Sequence, residues 1–367
     1  MNKERREPWV RIAKRGVVLP RWKAWGIRGI ALVGALVLCA IIIYSIVELN
    51  PLKVYGAMFE GAFGTNRRMW VTIRDTMMLL CIGIGLAPAF KMRFWNIGAE
   101  GQILMGGIAS AACMIYLGGD LPAGLLLPLM FILSALAGGL WGFIPAWFKA
   151  KWNTNETLFT LMMNYIAIQI TSYFVALWEN PPGSNSVGVI NPQTKAGWFP
   201  EIFGQMYTLN VIIVLALAVL MFIYLNYSKQ GYEIAVVGES RRTASYAGIK
   251  VDRVIIRTMA LSGALCGLIG LLLTSSTDHT MTTTIVDGRG FTAVMVSWMA
   301  KFNPVIMIFV SLLLVVLSRG ASEISTAFGL NRSFSDILTG IILFFIIGCE
   351  FFINYKVQFR SSGKKEA

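Results

Sequence analysis

Ten apolar runs divide this chain, near residues 28–48, 72–90, 94–117, 121–147, 157–178, 208–226, 256–274, 291–301, 304–318 and 336–354. Runs near the roughly 20 residues that cross a bilayer are read as helices, because in hydrocarbon the backbone must satisfy its own hydrogen bonds. The expected fold class is an all-α polytopic membrane protein with about ten transmembrane or re-entrant helices. The eighth run is too short for a full crossing and is expected to be broken or re-entrant. Composition agrees: 14% of the residues are charged, against about a quarter in soluble domains.

Alternating the runs across a bilayer from an N-terminus on the inside places 24 of the 32 Lys and Arg residues on inside segments and eight outside. This bias predicts N-in, C-in topology in a cell membrane. It also accounts for the net charge of +13 without nucleic acid. Residues 1–27 then form a basic cytoplasmic segment before an uncleaved first span, residues 28–355 a transmembrane domain, and residues 356–367 a cytoplasmic tail. Four of those eight, Lys53, Arg67, Arg68 and Arg74, cluster in the first outside loop, where the apolar pattern of Val54, Ala57, Met58, Ala62 and Phe63 predicts an amphipathic segment on the outer surface. Five scattered cysteines without C-x-x-C spacing indicate packing rather than a metal site or disulfide framework, and the single histidine, His279, reads as incidental.

Within the cytoplasmic loop 227–255, the stretch GYEIAVVGESRRTASYAGIKVDRV (231–254) reads as a small folded object. Ser240 can cap a short helix, Gly248 can end it, and Ala244, Ala247 and Gly248 fall on one smooth face. Such a helix is shaped either to dock into a soluble partner or to serve as a plain interfacial connector. On the other side, residues 179–201 are either a docking surface for an external protein or a simple Pro/Gly loop. Ser134, Gly138 and Gly142, like Gly263 and Gly267, repeat at four-residue spacing and predict close helix packing. The second to fifth and seventh to tenth runs would form two sets of four inverted relative to each other, which would put a substrate near their interface.

Three stretches carry polar groups at or inside spans. In FWNIGAEGQILMGG (94–107), Asn96, Glu100 and Gln102 sit among glycines; Glu100 is either a functional carboxylate or a near-interface charge paired with Arg93. In NTNETLFTLMMNYIA (153–167), Thr160 and Asn164 lie one turn apart and either bridge helices or face a pathway, while Phe159 and Tyr165 either pack or stack on a base. In DGRGFTAVMVSWMAKFNP (287–304), Gly288, Gly290 and Phe291 open a half-length helix whose dipole can face a polar substrate group. No G-x-x-x-x-G-K-[ST] occurs, so the chain does not itself cradle ATP. A chain of intramembrane carboxylates and histidines is also missing, which argues against a proton-coupled secondary transporter using Glu100.

These motifs together resemble ABC importer permeases of the branched-chain amino acid and simple-sugar family. GYE (231–233) and ASYAGI (244–249) are similar to that family's cytoplasmic coupling loop, N-E-x-x-x-T-x-M-x-N-Y-I-A (155–167) to its fifth helix, and NIGAEGQ (96–102) to its nucleoside-type branch. Glu239 stands where asparagine is common, and Trp298, Met299 and Ala300 replace smaller residues. The resemblance implies a type II importer permease that conducts nucleosides, with simple sugars as the alternative. It implies that Glu239, Ser240, Arg241, Arg242, Ala244, Tyr246, Ala247 and Gly248 couple to a separate ATPase, which carries the ATP, magnesium and hydrolysis. A second related permease and an extracytoplasmic substrate-binding lipoprotein are the other implied partners, in a bacterial plasma membrane.

Overall fold

The computed structural model describes residues 10–14 and 20–359; the remainder of the basic N-terminal segment and of the C-terminal tail lies outside the described residues. The elements run β1 (Val10–Lys14), α1 (Arg21–Val47), α2 (Pro51–Phe63), α3 (Asn66–Lys91), α4 (Ala99–Leu117), α5 (Ala123–Trp152), α6 (Glu156–Leu177), α7 (Thr208–Tyr227), α8 (Lys229–Glu239), α9 (Arg241–Tyr246), α10 (Val251–Leu272), α11 (Arg289–Met299), α12 (Pro304–Phe328), α13 (Arg332–Asn354) and β2 (Tyr355–Phe359). Among the described residues, nine helices are long and apolar enough to cross a membrane. The eighth apolar run is the exception, as expected. Its helix α11 has 11 residues, about 16 Å of rise against a core of about 30 Å.

Side-chain caps set several helix starts. Asn50, Asn155, Ser228, Ser240 and Asn331 each accept a hydrogen bond from a backbone N–H of the first turn that follows. Pro51 and Pro304 occupy first helical positions, where a missing N–H does no harm.

The described residues form two compact units, those up to 68 together with those from 316 onward, and residues 69–315. In the first, α1 packs on α13 through Ala35, Cys39 and Ile43, and the Cys39 thiol lies 3.7 Å from the Leu338 carbonyl. Tyr55 of α2 donates to the Leu36 carbonyl, and the Arg68 guanidinium meets Glu323 at 2.8 Å. Val10 to Lys14 pair antiparallel with Phe359 to Tyr355. The two segments expected as tails therefore join in a ribbon, a pairing between residues some 340 apart that no local pattern announces.

In the second unit, α10 is the central helix, packed on α4 and α5. Its glycines make that possible. A Cβ on Gly267 would overlap the Ser134 carbonyl of α5, and one on Gly106 of α4 would overlap Gly267 itself. Gly138 and Gly142 face Gly263 in the same way. Backbone thus meets backbone along the seam, the arrangement that favours small residues where lipid supplies no hydrophobic drive between helices. Arg74, counted above among the outside cations expected from the sequence, lies in α3, where Asp75 at 2.9 Å neutralises it and the Tyr207 ring lies 5.1 Å away.

Gly267→Val is expected to force α10 off both neighbours, with a loss of about 1–3 kcal/mol or more. Size-exclusion chromatography in detergent should show the monodisperse peak lost. Gly340→Ala, whose added Cβ meets nothing within 4 Å, should leave it unchanged.

Candidate coupling and translocation site

Between α3 and α4 the chain leaves helical geometry at residues 92–98, with Arg93 at φ +58°. A break there leaves backbone groups without helical partners, and burial denies them water. Side chains of Asn96 itself and of Thr160 and Asn164 on α6 satisfy them. The Asn96 side-chain oxygen accepts from Gly98 N–H (3.0 Å) and from the Gln102 amide (3.2 Å), while its NH2 donates to Gln102 and to Ser262 of α10, both at 3.3 Å. From α6, Thr160 accepts from Ile97 N–H (3.2 Å), and Asn164 both accepts from Gly101 N–H and donates to Ile97 C=O at 2.9 Å. All four of Asn96, Gln102, Thr160 and Asn164 are buried. In this structure they bridge helices, one of the alternatives read from the sequence, and hold the start of α4. Ser262 was not singled out in the sequence, where one serine in an apolar run carries no signal. Lys149 and Glu156, 2.7 Å apart, brace the neighbouring α5–α6 turn.

The remaining pathway candidates gather at α11. Glu100 accepts from Gly290 N–H at 3.2 Å, and among the described residues no ion pair joins it to Arg93, so the expected near-interface pairing is replaced by a bond to the start of α11. Gly288 turns the chain at φ +69°. At Gly290 a Cβ would press on the Glu100 side chain at 2.7 Å. The far end of α11 is tied down by the Ser297 hydroxyl, which donates to the Gly83 carbonyl at 2.9 Å. Phe291 is half exposed, and so are Trp95 and Trp298, which stack 5.1 Å apart and 20° from parallel over buried Phe90. This aromatic pair is built from two distant motifs and was not foreseen. Phe159 instead packs on Phe148 at 4.8 Å, and Tyr165 is exposed on α6.

The 227–255 segment is more helical than the loop expected: α8 and α9 form a hook before α10 begins. Ser240 caps α9 as read, accepting from Thr243 N–H, and Gly248 ends it at φ +76° with Ile249 N–H returning to the Ala244 carbonyl. The smooth face does not form. Ala244 is fully buried where α9 meets α8 and α10, whereas Ala247 and Gly248 are exposed. A six-residue helix must bury one side to stay folded, and Ala244 is the residue small enough to do it. Glu239, Arg241, Arg242 and Tyr246 face outward, Tyr246 at 93% exposure. At the base of the hook, Gly238 sits directly on the Lys91 carbonyl, the last residue of α3 before the locked turn. The Lys91 ammonium donates to the Leu225 carbonyl at 2.9 Å, joining the end of α7 to the same point.

At the opposite ends of α4 and α10 the 179–201 segment is folded and docked. α10 continues into a wider turn at Leu273–Thr277, and the carbonyls of Ser275 and His279 accept from Phe199 and Ile190 at 3.0 and 2.8 Å. The Trp198 indole lies flat on His279, 3.7 Å between ring centres. His279 is thus part of the seal that holds this segment, not incidental. Burial pushes its imidazole below the ordinary value near 6.5, with Lys195 acting in the same direction and a backbone contact to Thr274 opposing.

Among the described residues, nine helices long and apolar enough to cross a membrane, a half-length one and a folded hook define a polytopic membrane permease. Residues 69–347 match the family model of the branched-chain amino acid transport system / permease component, and the chain belongs to that family. It is similar to a glucose ABC transporter permease protein of Haloferax volcanii, 26% identical over 92% of this chain and 91% of the relative. It is also similar to a guanosine ABC transporter permease protein of Bacillus subtilis, 32% identical over 83% and 86%. A nucleoside ABC transporter permease protein of Lactococcus lactis is 28% identical over 86% and 89%. No solved structure matches the chain. The protein is a permease component of an ABC importer.

Because the docked segment favours neutral His279, its stability is full above pH 6.5 and declines as pH falls below that value, where the unfolded imidazole takes up a proton first. Amide exchange at Ile190 and Phe199, corrected for intrinsic rates, should accelerate on going from pH 7 toward about pH 5. His279→Phe, which keeps the stacking surface, should abolish that acceleration.

Proposed function

We propose that this chain is a nucleoside-conducting permease of an ABC importer, with both termini inside, and that a separate ATPase docks on α9. The observation that carries the coupling role is the hook: an exposed tip at Tyr246 whose base rests through Gly238 on Lys91 and hence on the locked turn at Asn96. A push on α9 would reach α4 without passing through any flexible segment, and from α4 it would reach α11 through the Glu100–Gly290 bond. The pairing of β1 with β2 supports placing both ends of the chain on one side of the membrane. Catalysis of ATP hydrolysis is assigned to the partner. By analogy with the family, a second related permease and a substrate-binding lipoprotein complete the importer.

Two observations favour nucleosides. The names of two relatives specify guanosine or nucleoside transport, and the stacked, half-exposed Trp95–Trp298 pair offers an aromatic face. Aromatic faces hold bases by stacking. The relative named for glucose favours a simple sugar as the second reading.

The reading is tested with the complex reconstituted in vesicles. Arg241→Glu with Arg242→Glu and Tyr246→Ala should cut copurification of the ATPase at least about tenfold, the loss expected of charged and aromatic interface anchors, while insertion is unchanged; wild-type copurification would refute docking on α9. Trp298→Ala should lower guanosine uptake by roughly 5–100-fold, the range of one lost stacking contact, and Trp298→Phe should restore most of it. Uptake of glucose but not guanosine by the wild-type complex would decide for the sugar.

A further inference from the structure

Under the hook lies a cavity of about 380 Å³ that none of the roles above uses. It is enclosed by the start of α8, the α9–α10 turn and the first two turns of α10. Its charged lining is Lys229, Lys250, Arg253 and Arg257 against a single carboxylate, Glu233. Glu233 is taken by Arg257 at 3.0 Å, and the Arg257 Nε is buried with no hydrogen-bond partner. Among the described residues no carboxylate pairs with Lys229, Lys250 or Arg253, and Asp252 is exposed beside Arg253 without lining the cavity. Its apolar lining is Ala247, Ile249 and Val254. Three uncompensated cations around one small space call for an anion.

The level of the cavity says which anion. It lies where α7 leaves the apolar run and α10 enters it; the last turn of α7, just before Lys229, carries Tyr224 and Tyr227, the latter 77% exposed. Tyrosines and cations at span ends mark the head-group layer. Tyr246, the hook's tip, is not among the lining residues. We propose that the cavity binds the phosphodiester head group of an anionic phospholipid from the cytoplasmic leaflet, with Lys250 and Arg253 as its principal cations. The head group bridges α8 to the turn that ends α9, because Gly248, Ile249 and Lys250 form one wall and Lys229 and Glu233 the other. Lipid occupancy thereby sets how firmly the hook is held for docking. The inference rests on the inside orientation proposed above and not on the identity of the substrate.

Native mass spectrometry of the full chain, released from detergent with added dioleoyl-phosphatidylglycerol or dioleoyl-phosphatidylcholine, tests it. The wild type should retain one phosphatidylglycerol in preference to phosphatidylcholine. Lys250→Gln with Arg253→Gln should weaken that preference roughly 30-fold, as two surface cations warrant, whereas Lys250→Arg with Arg253→Lys should keep it. Equal retention by wild type and the Gln variant would overturn the proposal. Displacement of the lipid by millimolar inorganic phosphate would overturn it in favour of a free anion. A Gln variant that keeps its phosphatidylglycerol but no longer copurifies the ATPase would overturn it in favour of a protein carboxylate. The orientation is checked separately by impermeant labelling of a cysteine at Tyr246, so that a failure of topology is distinguishable from a failure of lipid binding.

Discussion

A buried backbone that stops being helical has nowhere to send its hydrogen bonds except to other parts of the protein. That constraint governs residues 92–98. The N–H groups of Ile97, Gly98 and Gly101 and the carbonyl of Ile97 are each claimed by a side chain of Asn96, Thr160 or Asn164. Removing any one of these partners would strand a buried backbone group, at about 1–3 kcal/mol. The break is therefore tolerable only while α4, α6 and α10 hold fixed positions around it.

The glycine seam fixes those positions. With α4, α5 and α10 in backbone contact at Gly106, Gly138 and Gly267, there is no layer of flexible side chains to absorb a displacement. Packed elements of this kind shift as bodies. The hook meets this body at Gly238 and Lys91, and the body meets α11 at Glu100 and Gly290. Each junction is a glycine against a group it cannot yield to. Together these contacts form a short, closely packed series with a polar lock at its centre.

Much of this was legible in the chain. The spans follow from apolar length, the end of α9 from Ser240 and Gly248, and the seam from glycines spaced at four residues, because each rests on local periodicity or backbone preference. What was not legible depends on which distant residues meet. Thr160 and Asn164 could face a pathway or bridge helices, and only the folded chain shows which groups they bond, the turn at Ile97 and the start of α4. Trp95 and Trp298 become a pair only when α11 folds back toward the α3–α4 turn. Ala244 looked like part of an exposed face because a helix of two turns was imagined free, whereas α9 is seated on α8 and α10.

Hydrogen exchange on the assembled complex tests the packed series most directly, comparing the nucleotide-free state with one held by a non-hydrolysable ATP analogue. The account predicts that protection at residues 238–246 and at the amides of Gly98 and Gly101 changes together. A change confined to 238–246, with Gly98 and Gly101 exchanging identically in both states, would contradict it.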